Sequence, residues 1–559
     1  MRRTSLVRAA LAATFAVALV AKGAAGELSR GAVSSAAPAA TEAGLTILAA
    51  GGNAADAAVA TALALAVVHP TAGNLGGGGF AVSLFGGKAR ALDFRETAPA
   101  AAARGMFLGP DGNPLPDASL VGPLAAGVPG SPTGLFELHR RLGRLPWRDV
   151  VAPAERLARA GFVVTPRLAR GVADSQALLA RFPETAAVWL PGGRPPAEGS
   201  VMRLPALAAT LAAYGERGPK ALTSGAAATA IVAASRRYGG VLTAGDLASY
   251  RPVWRDPIVF GAFGWEIASM PLPSSGGIIL AQTLGILERL GWASLPRSSL
   301  DRVHILAEAW RRSYADRFLL GDPAATRATA AQLLDPAWLA RRASEIETTR
   351  ATPSSEVRPW SGSLTGSSHT THLSVVDRQG NAVSLTTTLN DSFGCGLLVP
   401  ELGILLNNEM DDFAVAPGRP NLYGLVQGEA NAVGPGKRML SSMTPTVAWR
   451  GPEVLVLGSP GGSRIPTAVA QVFLGVVVDG DTLEAAVARP RVHHQWLPDE
   501  LGYEAGALDP EQQAALAARG HTLRLIERVG EVDFVRRRAD KSFEAAADPR
   551  GPGASGTTP

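Results

Sequence analysis

The chain of 559 residues has a single cysteine, Cys395. An intramolecular disulfide is therefore impossible, and a cysteine-based zinc or iron–sulfur centre is excluded. Charge is also scarce. Only 18% of residues are Asp, Glu, Lys or Arg, and 53 basic against 48 acidic residues leave +5. No dense Lys/Arg run exists beyond Arg536-Arg537-Arg538, so the chain lacks a nucleic-acid footprint. Past the N-terminus no uninterrupted apolar run reaches the roughly 18 residues that a membrane span needs. The Gly-x-Ser-x-Gly elbow, the phosphate-binding Gly-x-x-x-x-Gly-Lys-Ser/Thr loop and His-Glu-x-x-His are all missing. His493 and His494 are adjacent, so on any regular element they face different ways and make a poor metal site.

What is present points to a folded, exported protein. Hydrophobic residues make up 47% of the chain, enough for a large core and too many for global disorder. The length suits two to four modest domains or one large one. Arg2, Arg3 and Arg8 precede an apolar stretch from Ala9 to Ala21, and small residues follow from Gly23 to Gly26. This is the layout of a secretory signal peptide over residues 1–26, with an uncut membrane anchor as the alternative. The mature protein is expected in the periplasm or the medium.

Further along, Thr41 to His69 reads as two helices broken at Gly51-Gly52. The second, Ala54 to Val68, is small and apolar on every side, so it is expected to be buried. Phe80–Phe85 and Ala89–Phe94 alternate as a hairpin around Gly86-Gly87. Residues from about 120 to 345 read as mostly helical. Residues 350–369 are polar and turn-prone, the composition of a linker. Thr371–Asp377 and Ala382–Leu389 form a second hairpin. Leu402–Leu406 and Val454–Leu457 are strands, and Ile465–Val478 is a helix. Gly551 to Pro559 is low in complexity and expected to be disordered. The fold class is α+β, with antiparallel hairpins rather than parallel crossover units.

Three features carry chemistry. Thr370-Thr371-His372 sits where the linker becomes a strand. A threonine hydroxyl needs a neighbouring base. A cut before Thr370 would supply one, because a free α-amine titrates at roughly 7.7–8.0. Thr370 could make that cut itself, attacking the carbonyl of His369. A structural strand start explains the same residues without chemistry. The second feature is Gly458-Ser459-Pro460-Gly461-Gly462-Ser463-Arg464, between a strand and a helix. Free N–H groups of Gly461 and Gly462 suit an oxyanion hole; a plain turn is the alternative. The third is a set of groups suited to a zwitterion. Arg95 could grip a carboxylate, Glu409 and Asp412 could hold an ammonium, and Ser441 and Ser442 offer hydroxyl donors.

Together these stretches resemble the γ-glutamyltransferase family, also called γ-glutamyl transpeptidases or glutathione hydrolases. The likeness runs from about Ala39 to Asp548. It includes Gly51–Ala60, Ala72–Phe80, Asp93–Glu96, Thr370–His372, Leu405–Phe413, Asn431–Pro435, Leu440–Met443 and Gly458–Arg464. The resemblance implies an N-terminal-nucleophile hydrolase fold, an αββα four-layer sandwich. It implies autocleavage between His369 and Thr370, giving a large chain from 27 to 369 and a small one from 370 to 559. These would stay together as one interwoven heterodimer. Thr370 would be the nucleophile, Thr388 its assistant, and Gly461 and Gly462 the oxyanion hole. Arg95, Ser441 and Ser442 would hold the α-carboxylate of a γ-glutamyl group. Asn390, Glu409 and Asp412 would hold its α-amine, under a lid carrying Tyr423. The implied donor is glutathione, with water or an amino acid or peptide as acceptor, and with no metal or organic cofactor. Cys395 stands where a small polar residue is expected, and reads as a buried filler, with a thiol near the site as the alternative. Two rivals remain: a glutaryl or β-lactam side-chain acylase of the same fold, and an exported amino-acid-binding protein that is never processed.

Overall fold

The computed structural model describes residues 30–326, 328–359, 369–417, 425 and 427–558. The expected signal segment, residues 360–368 of the linker and Tyr423 lie outside the described residues. Two antiparallel sheets form the centre. The first has seven strands, in spatial order Ala554–Thr557, Gly31–Ser35, His369–Asp377, Ala382–Asn390, Gly78–Phe85, Lys88–Phe94 and Val253–Arg255. The second has six, in the order Phe543–Ala546, Asp533–Arg537, Glu453–Gly458, Thr446–Arg450, Trp265–Ser269 and Ile258–Ala262.

Strand alternation decides how these sheets stack. Leu373 and Val375 on one face of their strand, with Val383 and Leu385 beside them, join a core with the helices Pro38–Ala49 and Ala54–Val68. Val376 and Ala382 on the opposite face, with Phe80 and Val82, pack into the core shared with the second sheet. Helices Gly276–Arg289 and Ile465–Val477 cover that sheet's far side. The result is four layers, helix, sheet, sheet, helix.

The Ala54–Val68 helix is buried along all 15 of its residues. The break before it has a local cause. Asn53 caps the helix, accepting from the N–H of Ala55 and Asp56, while Asp56 accepts from the Asn53 N–H. Such a reciprocal cap satisfies donors that the first turn leaves open. Asp56 also accepts from the backbone N–H of Arg144 and Leu145, so the block Gly51–Ala60 serves folding here.

One expectation needs correction, and one gains detail. The end of the chain is not disordered: Ala554–Thr557 pairs antiparallel with Gly31–Ser35, and Thr558 N–H donates to the Gly31 carbonyl at 3.0 Å. Small residues adopt extended backbone readily, and the strand Gly31–Ser35 would otherwise leave one row of backbone groups unpaired. Within the region read as mostly helical, Val253–Arg255 extends the first sheet and the hairpin Ile258–Ala262/Trp265–Ser269 closes one edge of the second. Among the described residues no helix is long and apolar enough to cross a membrane.

Candidate active site

Thr370 is the second residue of the strand His369–Asp377, which lies inside the first sheet. Its neighbour strand is irregular there. Thr371 pairs with Thr387 and His369 with Asn390, so Thr388 and Leu389 stand opposite Thr370 alone. Such a bulge re-aims side chains locally. Its far end is Asn390, with φ of 77°, a left-handed conformation that Asn tolerates better than most residues. Asn390 N–H donates to Thr388 Oγ1 at 2.7 Å, fixing that hydroxyl. Asn74 braces the bulge from the glycine-rich loop, donating to the Thr388 carbonyl at 2.7 Å and to Thr387 Oγ1 at 3.1 Å.

Side chains two apart share a strand face, so Thr370, His372 and Ser374 all face the second sheet. His372 bonds through Nδ1 to Thr386 Oγ1 at 2.9 Å and through Nε2 to Ser374 Oγ at 3.0 Å. Burial pushes its pKa down to about 3, so the ring is neutral. Gly458 lies against it: a Cβ there would meet the His372 ring at 2.3 Å.

Gly461 and Gly462 sit between the strand Glu453–Gly458 and the helix Ile465–Val477, as expected. Their φ values of 122° and 63° need glycine. Thr370 and Gly461 line the same cavity, of about 110 Å³, with Ser392, His69, Thr71, Arg167, Arg464 and Arg528 also on its wall.

The zwitterion set is brought together more tightly than the sequence suggested. Arg95 is buried and ion-paired directly to both Glu409 and Asp412. Its Nε donates to the Met439 carbonyl at 3.4 Å, which ties it to the segment carrying Ser441 and Ser442. Both serines are buried. The Ser441 carbonyl accepts from Ser275 Oγ, and Ser275 Oγ accepts from Arg317 Nε at 3.0 Å. Asn390 Nδ2 donates to the Asn408 carbonyl at 3.1 Å, joining the bulge to the turn Glu409–Asp412.

Burial sets the electrostatics of this cluster. It works against the Arg95 charge, but Glu409, Asp412 and Glu96 outweigh it and hold that guanidinium above its ordinary range. Burial drives Glu409 well above the usual carboxylate value and raises Asp412, each against the pull of Arg95. Glu96 is pushed up to about 7 by burial, with Arg95 opposing. Arg317 falls to about 10 through burial, with Asp412 resisting. An incoming ammonium would let Glu409 and Asp412 both ionise.

Sequence reasoning missed Glu96, Arg317, His372 and Asn74. Glu96, His372 and Asn74 lay inside the quoted blocks, and period-two alternation from Thr370 marks His372. Arg317 closes a helix, Leu300–Arg317, whose charged residues Glu308, Arg311, Arg312 and Asp316 are all buried. Composition cannot show that burial. Cys395 belongs to the apolar core, and burial raises its thiol to about 12, which leaves it un-ionised. Tyr423 and the His369 side chain lie outside what is described.

An αββα sandwich with a threonine near the head of a central strand has the fold of the N-terminal-nucleophile hydrolases. Within that class the chain belongs to the gamma-glutamyltranspeptidase family, whose sequence profile matches residues 40–558. It is 44% identical over 525 residues to the glutathione hydrolase proenzyme of Escherichia coli K12, covering 93% of this chain and 90% of that one. It is 44% identical to the Pseudomonas aeruginosa glutathione hydrolase proenzyme, covering 91% of each. Among solved structures, the cephalosporin acylase of Bacillus halodurans superposes with a TM-score of 0.82 at 26% identity, covering 97% of this chain and 98% of that one.

Proposed function

We propose that this chain is an exported, self-cleaving γ-glutamyltransferase and glutathione hydrolase in which Thr370 is the nucleophile. The observation that carries the reading is the cavity shared by Thr370 and Gly461 beside the Thr388 bulge. Cleavage between His369 and Thr370 converts an amide nitrogen into an α-amine next to the hydroxyl. That amine, titrating at roughly 7.7–8.0, takes the hydroxyl proton as Thr370 Oγ attacks the γ-carbonyl carbon. Negative charge develops on the carbonyl oxygen and is met by the N–H groups of Gly461 and Gly462. The carbon–nitrogen bond then breaks, the amine returns its proton to the leaving nitrogen, and cysteinylglycine departs. Water or an amine repeats the sequence on the ester. Thr388 holds the Thr370 hydroxyl. Arg95, Ser441 and Ser442 receive the α-carboxylate, while Asn390, Glu409 and Asp412 receive the α-amine, with Tyr423 above them. The cleaved chains, 27–369 and 370–559, remain one heterodimer because strands from both build each sheet.

The acylase reading is weaker because of Glu409 and Asp412. A glutaryl group brings a carboxylate but no ammonium, so two buried carboxylates would stay without a cation other than the arginines they already hold. Steady-state assays on glutathione, with and without glycylglycine, should show release of glutamate and its transfer to the acceptor. Thr370→Ala should yield one uncut chain with neither activity. Turnover of a glutaryl-cephalosporin with none of a γ-glutamyl anilide would establish the acylase instead.

A further inference from the structure

The wall of the Thr370 cavity is strongly cationic, and the mechanism above uses none of that charge. Arg167, Arg464 and Arg528 line it, with Glu531 as the acidic residue and His69 beside them. Burial and then Arg167 push His69 down to about 3, so it adds no charge. Glu531 is already committed, since it is ion-paired to both Arg167 and Arg528. Arg464 differs. It donates from Nη1 to the Arg528 carbonyl at 2.9 Å, and no carboxylate lies within ion-pair distance of it among the described residues. Burial, Arg524 and Arg528 all lower its pKa, against weaker support from Glu504 and Glu527. Of those two carboxylates, Glu504 is held by Arg550, and Glu527 is exposed. A half-buried guanidinium without a counter-ion is costly unless an anion arrives.

Its position relative to the chemistry is fixed by the chain. Arg464 lies two residues beyond Gly462 and immediately before the helix Ile465–Val477, on the same loop that carries the oxyanion donors. The zwitterion residues Arg95, Glu409 and Asp412 are not on this wall. On the γ-glutamyl reading, with the head held by Arg95, Glu409 and Asp412, this cationic wall is left for the departing side of the reacting carbon. What lies on the departing side in glutathione is a dipeptide ending in a free carboxylate. Two extended residues span at most about 7 Å, so that carboxylate stays within a short reach of the bond being broken.

We propose that Arg464, backed by Arg528 and Arg167, forms a carboxylate subsite for the departing and accepting side of the reaction. It would bind the C-terminal carboxylate of the cysteinylglycine unit and, in the reverse sense, that of an acceptor dipeptide. This rests on the γ-glutamyl transfer reading and adds the substrate class: donors and acceptors with a free carboxylate on the amine side. Arg464 is here a specificity residue, and the reaction steps are unchanged.

The test compares glutathione with its C-terminal amide, which removes one charge and leaves the γ-glutamyl head intact. The native enzyme should prefer the acid in kcat/KM by about tenfold, the worth of one charge-assisted hydrogen bond. In Arg464→Gln the preference should fall towards unity, while Arg464→Lys should keep part of it. Glycylglycine and glycylglycinamide as acceptors should show the same pattern. Because each result is a ratio within one enzyme, a general loss of activity does not imitate it. Equal use of acid and amide by the native enzyme overturns the subsite, and that measurement needs no variant. An undiminished preference in Arg464→Gln also overturns it. Absence of turnover on γ-glutamyl-p-nitroanilide, whose leaving group has no carboxylate, would instead overturn the parent reading.

Discussion

At the scale of single residues, the site is built from groups whose ordinary charge states are strained by burial. Glu96 is the clearest case. Its carboxyl normally titrates near 4.5 and is held near 7. Below about 4.5 it is protonated in folded and unfolded chains alike, and the folded state bears no penalty. As pH rises, the unfolded chain ionises first, so this group's contribution to stability is lost by about 7. Glu96→Gln removes the titration. The Tm of the variant minus that of the native protein should therefore grow more positive between about pH 5 and about pH 8, by thermal melts at matched ionic strength. A flat difference would show that Glu96 ionises without cost. The sequence named Arg95, Glu409 and Asp412 as parts of one zwitterion clamp but could not show that they bind each other. Spacing along a chain carries no information about a contact between residues 95 and 409. Arg317 was invisible for a related reason, since a charged helix terminus reads as solvated until the packing around it is known.

At the scale of elements, two irregularities hold the groups proposed to react. One is the bulge of Thr388 and Leu389 opposite Thr370, and the other is the positive-φ pair Gly461 and Gly462. The strand alternation around Thr370 was legible, as was the strand–loop–helix context of the two glycines. The bulge was not, because it falls at the strand's end among Thr386, Thr387 and Thr388, with Leu389 as the single apolar residue beyond them, so there is no apolar alternation there for the shift to interrupt. Gly461→Ala tests the loop. At φ of 122° an alanine is strained, and its Cβ would lie 3.1 Å from the Gly530 Cα. Displacing an oxyanion donor costs about 10²–10³ in kcat. We expect a loss of that size in the cleaved fraction of the variant, with KM for the γ-glutamyl donor little changed. A variant with native kcat would show that Gly461 is a turn residue alone.

At the scale of the whole molecule, the segments on either side of residue 369 are interleaved. The sheet containing Thr370 draws strands from 31–35, 78–85, 88–94 and 253–255 as well as from 369–377, 382–390 and 554–557. Antiparallel hairpins and the buried alanine-rich helix were readable from periodicity. The four-layer stacking came from the family resemblance and not from periodicity; the hairpin 258–269 and the final strand were not legible, because short or small-residue strands look like loops until a partner is specified. The last strand makes a direct prediction. Ending the chain at residue 551 removes the pairing of Ala554–Thr557 with Gly31–Ser35. A few net hydrogen bonds at about 0.5–1.5 kcal/mol each should be lost, seen as a lower Tm with activity per folded molecule retained. An unchanged Tm would mean that the edge strand adds nothing to stability.

Beneath all three scales lies one requirement, that Thr370 become a chain terminus. Intact-mass analysis with N-terminal sequencing of the purified, active protein tests it most directly. The account predicts two polypeptides, the smaller beginning Thr370-Thr371-His372. A single unbroken polypeptide that still releases glutamate from glutathione would contradict it.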